Sequence, residues 1–168
     1  KPVCLNWWYN QIGVPKTLGT AFILFEKQLT PVEKQSAITV MENAKFGMTG
    51  QNKVWLAGNV MMRALLQNDY ELVKMARDTI ASEIVTGGAE GIKDDWCFHQ
   101  HGAQQQFGNY GLSFVSGMSF FSGLFSGTSL AFDDKQLSIL STLIDKGYRW
   151  VIWNCLLYTS PSPRDKRQ

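Results

Sequence analysis

Apolar residues along this chain recur mostly at helical spacing. Gly13-Val14-Pro15 opens a helix whose buried face is predicted at Leu18, Phe22 and Phe25, at i, i+4 and i+7. Thr30-Pro31-Val32-Glu33 reads as a helix start: a threonine cap, proline at the first position, and glutamate three residues after the cap. The helix it opens should bury Ala37, Ile38, Met41 and Ala44. A loop at Phe46-Gly47-Met48-Thr49-Gly50 precedes a third helix that starts near Asn52, with a stripe of Val54, Ala57, Met61, Ala64 and Leu65. Gln67-Asn68-Asp69 links it to a fourth, with Leu72, Met75, Ala76 and Ile80 facing inward. Leu112–Ser126 is rich in glycine and serine yet apolar (Phe114, Met118, Phe121, Phe125), which suits a helix whose glycines admit close neighbours. Asp133 or Asp134 caps a last helix with Leu137, Leu140, Leu143 and Ile144, ended by Lys146-Gly147. Helices joined by short links, with little strand pattern, predict an all-α class of paired antiparallel hairpins.

Between the fourth and fifth helices the periodicity stops. Asp94 to Gly111, DDWCFHQHGAQQQFGNYG, packs two histidines, a cysteine, four glutamines and a tyrosine between glycine-punctuated segments. Residues 86–111 are therefore read as a long loop, with a short extended piece at Trp96–His101. Its aromatics Trp96, Phe98, Phe107 and Tyr110 argue for order. Ordered long loops are commonly functional.

Composition narrows the classes. At 168 residues, 45% hydrophobic, the chain is long enough for one domain with a real core, and no run reaches a membrane span. The formal charge is +2. Arg164, Lys166 and Arg167 against Asp165 account for all of it, so the remaining body is neutral, which argues against a nucleic-acid partner. Cys4, Cys97 and Cys155 make no disulfide framework and no CxxC pair. The chain starts at Lys1, without methionine, and is expected to be a fragment. The stretch 155–168, CLLYTSPSPRDKRQ, resembles translated sequencing-adapter read-through and is set aside as a non-native tail, leaving 1–154 as the domain.

Three motifs, NWWYNQIGVPKTLG (Asn6–Gly19), TGQNKVWLAG (Thr49–Gly58) and FHQHGAQQQFGNYG (Phe98–Gly111), together resemble the α-helical catalytic domain of polysaccharide lyase family eight. The family includes chondroitin AC, hyaluronate and xanthan lyases. The His-Gly-x-Gln-x-Gln wording from His101 is most similar to the chondroitin AC lyases. The resemblance implies part of an incomplete α/α toroid of helical hairpins. It also implies β-elimination on glycosaminoglycans of chondroitin or hyaluronan type, leaving 4,5-unsaturated products.

The resemblance places the family's catalytic Asn on Asn52, the His on His101 and the Tyr on Tyr110. Its aromatic patch falls on Trp7 and Trp8, with Asn6 beside them as a further substrate-binding residue. The family's later Arg and Glu have no counterpart assigned here, and the fragment alone is expected to be inactive. An acidic polysaccharide is the expected partner, with no cofactor, no metal, no nucleic acid and no membrane. A monomer is expected, secreted or periplasmic in a bacterium.

Other readings stand beside these. Asn52 suits a helix cap, Tyr110 a core aromatic and His101 a brace for its loop. Trp7 and Trp8 suit a domain-edge cluster, or a sugar-stacking platform in a non-catalytic carbohydrate-binding domain. Cys97, His99 and His101 alternate, so an extended backbone would point all three one way, towards a metal that Asp94 or Asp95 would complete. Cys97 with His99 also suggests a nucleophilic hydrolase, without a recognisable orienting acid. The joint spacing of Asn52, His101 and Tyr110 favours the lyase.

Overall fold

The computed structural model describes residues 4–151. They are mainly helical and form two compact units, one from residues 4–48 with 52–82, the other from 49–51 with 83–151. The predicted tail at 155–168 lies outside the described residues.

The first unit opens with a π-helical turn, Tyr9–Gly13, running directly into α1, Val14–Leu24. The buried face of α1 is not the predicted one. Ile12, Pro15 and Gly19 are inside, whereas Leu18 and Phe25 are exposed. Close approach explains the exchange: a Cβ on Gly19 would stand 2.6 Å from the Met41 methyl and 3.0 Å from the Met62 sulfur. Small residues face the neighbours there, so the large ones turn outward.

Helix α2, Pro31–Met41, has the predicted capping box, with Thr30 Oγ1 accepting from Glu33 N–H and Glu33 accepting from Thr30 N–H. Ala37, Ile38, Met41 and Ala44 are all buried, as expected.

Helix α3, Gly50–Gln67, buries Val54, Ala57, Met61 and Ala64, but also Leu56, Val60 and Leu66. Leu65, placed in the stripe from sequence, is exposed. A helix covered on several faces lies in a core, and each fully buried aliphatic side chain stabilises it by about 1.5–3 kcal/mol. Asn59, a buried polar residue of this helix, donates to the carbonyls of Gln11 (3.2 Å) and Ile12 (3.1 Å), so its burial leaves those donors paired.

Helix α4, Tyr70–Ala81, is capped by Asp69, whose carboxylate accepts from Leu72 N–H at 3.0 Å. That start sets the inner face at Val73, Ala76 and Ile80; Met75 is exposed.

In the second unit, the predicted loop contains a two-stranded hairpin. Strand β1, Gly91–Ile92, pairs antiparallel with β2, Phe98–His99. A π-helical turn at Phe107–Gly111 then enters α5, Leu112–Phe125. Phe114, Met118 and Phe125 are buried. The glycine expectation fails for this helix: a Cβ on Gly117 or Gly123 would meet nothing within 4 Å.

Asp133 caps α6, Asp134–Thr142, in a capping box with Gln136. Leu140 and Leu143 are buried; Leu137 and Ile144 are exposed. The helix does not stop at Lys146-Gly147 but continues through a π-helical turn, Leu143–Tyr148, into α7, Arg149–Val151. Gly147 is a contact point, since a Cβ there would collide with the Trp96 carbonyl oxygen. No helix among the described residues is long and apolar enough to cross a membrane.

Candidate active site

The loop owes its shape to two buried residues and two backbone reversals. Ile92 and Phe98, fully buried and paired across β1 and β2, anchor the hairpin. Trp96 turns it with a left-handed φ of 66°. The chain then doubles back once more. Gln106 N–H donates to Phe98 O (2.9 Å), His99 bridges to Gln105, and Gln100 N–H donates to Gln104 O (3.1 Å). His101 and Gly102 form the tip, both left-handed, with φ of 57° and 75°.

This reversal aims His101 at Tyr110, on the π-helical turn before α5. Nε2 of His101 lies 2.9 Å from the Tyr110 hydroxyl, with the rings perpendicular and their centres 4.9 Å apart. Which group donates depends on the imidazole tautomer. His101 is exposed and Tyr110 half-buried, so the pair is reachable from solvent. His101, and not His99, contacts the tyrosine.

The turn carrying Tyr110 is held from behind. Tyr148 is buried, and its hydroxyl donates to Phe107 O at 3.2 Å; burial pushes its own ionisation far above the ordinary phenol range.

Asn52 is the third residue of α3, only 6% exposed, and its Oδ1 accepts no hydrogen bond. It does not cap the helix. Nor are the first N–H groups of α3 free, as a bare helix start would leave them. Gly50 N–H donates to Glu83 (2.7 Å) and Gln51 N–H to Gln100 (2.9 Å). Gln51 is buried too, with neither side-chain amide atom partnered.

Asn6 is exposed and accepts from Trp8 N–H at 2.9 Å. Trp7 is exposed; Trp8 is half-buried, edge-on to Tyr9 and to Trp55. Trp8, Tyr9, Val14, Lys16, Leu18 and Thr20 wall an open groove of about 840 Å³. Neither Trp7 nor Asn52 belongs to its walls.

The left-handed His101 ends the alternation on which a Cys97, His99, His101 metal site depended. Among the described residues no group of three or more His, Cys, Asp or Glu is arranged to hold an ion. The Cys97 thiol is pushed up by burial and by Asp95, the reverse of nucleophile activation.

Glu90 and Tyr148 carry the local architecture yet lie in no sequence motif, and Gln100 lies in one without standing out in it. Their side-chain partners are groups ten or more positions away, which leave no periodic signal.

Residues 1–164 match the family model for the N-terminal alpha-helical domain of polysaccharide lyase family 8. The chain belongs to polysaccharide lyase family 8. Chondroitinase-AC of Pedobacter heparinus is 30% identical over 152 residues, covering 88% of this chain and 22% of the relative. Xanthan lyase of Bacillus sp. strain GL1 is 26% identical, covering 88% and 16%. This family 8 chain thus spans about a fifth of the length of the curated relatives it matches. The solved chondroitin AC lyase of Streptomyces coelicolor, in complex with chondroitin sulphate, superposes with a TM-score of 0.82 at 21% identity, over 91% of this chain and 22% of that one. A solved chondroitinase AC lyase studied as oligosaccharide complexes gives a TM-score of 0.80 at 29% identity, over 90% and 23%. The all-α fold of this chain is a segment of the α/α toroid of these lyases.

Proposed function

We propose that the protein to which this chain belongs cleaves uronic-acid-containing glycosaminoglycans, of chondroitin or hyaluronan type, by β-elimination. The observation that carries this reading is the 2.9 Å contact between His101 Nε2 and the Tyr110 hydroxyl, reachable from solvent on an ordered loop. The reaction removes the C5 proton of a uronic acid and expels the 4-linked sugar. An ionised carboxylate next to C5 makes that proton weakly acidic, so catalysis needs donors aimed at the charge that develops there. Each well-placed donor is worth about 3 kcal/mol.

Asn52 takes the donor role. The donor is its Nδ2 group; Oδ1, an acceptor, is buried without a partner, which costs about 1–3 kcal/mol and marks the amide as more than packing. A side chain kept for packing alone would not need the amide. Tyr110 is the proton carrier: as phenolate it takes the C5 proton, and as phenol it returns one to the leaving oxygen. A free phenol has a pKa of about 10, so it needs a partner to accept or share its proton. His101 stands at that position. Trp7 and Trp8 supply indole faces for pyranose rings, and Asn6 beside them a polar amide for the sugar hydroxyls.

The test is ultraviolet absorbance of unsaturated uronates on incubating the complete parent enzyme with chondroitin, hyaluronan and xanthan. Product with chondroitin or hyaluronan is expected. Saccharide binding without product on any polymer would make this a non-catalytic binding domain. Asn52→Ala should lower kcat by about a hundredfold or more, because its donor acts on charge that grows in the transition state.

A further inference from the structure

The tip that carries His101 is conformationally expensive. A non-glycine residue in the left-handed region costs about 1 kcal/mol, and it persists only where the surroundings over-determine it. Here a left-handed His101 is followed by a left-handed Gly102. Successive backbone N–H groups exposed at a turn can face a common anion.

Glu90, half-buried, supplies that anion. One carboxylate oxygen accepts from Gly102 N–H at 2.8 Å. The other accepts from Thr49 Oγ1 at 2.6 Å and from the Gln100 side-chain amide. Gln100, only 1% exposed, extends the chain of bonds: its Oε1 accepts from Gln51 N–H at 2.9 Å and its Nε2 also reaches Thr49 O at 3.3 Å. The amide is seated against Gly50, where φ is 58° and any Cβ would collide with Gln100 Oε1. Glu90 thus joins the His101 tip to residues 49–51 through groups that all have partners.

We propose that Glu90 is a positioning residue of this site: its carboxylate fixes the left-handed His101–Gly102 turn and thereby sets the approach of His101 to Tyr110. The inference rests on the reading of His101 and Tyr110 as the working pair. Burial pushes the Glu90 carboxyl up, but the bonds from Thr49 and Gly102 and the adjacent His101 outweigh it and hold the group below its ordinary value. It is therefore a charged acceptor at neutral pH.

Two measurements on the complete parent enzyme test this. In turnover of chondroitin, Glu90→Ala should lower kcat at least tenfold with KM within twofold. In a His101→Asn background the same change should cost less than twofold, because a residue acting through His101 has nothing left to position. An unchanged kcat, or an equal loss in both backgrounds, overturns the proposal. Independently of turnover, hydrogen–deuterium exchange over residues 98–109 should quicken in Glu90→Ala while residues 54–66 keep their protection. Unchanged exchange over 98–109 also overturns it. A parent that forms no unsaturated product, with exchange quickened as stated, refutes the lyase reading and leaves the bracing role of Glu90 supported.

Discussion

Tyr148 donates its buried hydroxyl to the carbonyl of Phe107 across 3.2 Å, and so stands directly behind the turn from which Tyr110 projects. The contact is possible because position 111 is glycine. A Cβ there would collide with the Tyr148 hydroxyl and lie 2.9 Å from Gln106 O and 3.0 Å from Phe98 Cβ.

Gly111→Ala should therefore destabilise the chain by about 1–3 kcal/mol, since none of the three neighbours can yield cheaply. Gly117→Ala, on the same stretch of helix but facing open space, should stabilise it by about 0.5–1 kcal/mol. Thermal melting followed by circular dichroism checks both. A Gly111→Ala chain as stable as the original would show that the turn is loosely held.

Removal of one oxygen separates chemistry from binding. In the parent enzyme, Tyr110→Phe should abolish elimination while saccharide affinity stays within a few-fold, as the ring and its packing remain. His99→Ala should reduce turnover far less than loss of His101, because His101 is the histidine in contact with the tyrosine. Steady-state kinetics with calorimetric binding reads both. Full activity of Tyr110→Phe would end the proton-carrier role.

The two neighbouring indoles should respond differently. Trp7 is 41% exposed, so Trp7→Ala should weaken polymer binding with little loss of stability. Trp8 meets both Tyr9 and Trp55 edge-on, and Trp8→Ala should lower the melting temperature as well. Equal binding by Trp7→Ala and the unaltered protein would remove Trp7 from the substrate surface.

Acid should weaken the brace at Glu90 in a defined direction. A carboxyl held below its ordinary value in the folded chain stabilises the fold above that ordinary value, 4.5, and loses the contribution as pH falls through the lower folded one. The difference in urea midpoint between the unaltered chain and Glu90→Gln should be constant above about pH 6 and shrink in stronger acid. A difference that grows on acidification would contradict the assignment of charge.

Local rules were legible wherever a short window contained both partners. The Thr30–Glu33 capping box and the Ala37, Ile38, Met41 face follow from spacing alone. The face of α1 does not, because Gly19 is chosen for its closeness to Met41 and Met62, and a hydrophobicity pattern assigns a glycine no direction. The face of α4 was half legible: Ala76 and Ile80 are inside as expected, but Val73 takes the inner place and Met75 is exposed. His101 and Tyr110 were readable from motif wording. The bracing roles of Glu90 and Gln100 were not, for the bonds that tie them to Thr49 and Gln51 span some forty to fifty positions.

Left-handed backbone at position 101 also constrains how this loop can be varied. Asparagine, aspartate and glycine visit that conformation readily, whereas valine, isoleucine and threonine resist it. A saturation library at 101 would consequently sort its members by chirality of the main chain before it sorted them by side-chain chemistry. Asparagine and glycine variants would express as folded protein with turnover much reduced, and β-branched variants would drop out of the folded pool altogether. The imidazole is thus drawn from a short alphabet that the peptide unit, and not the substrate, has already edited.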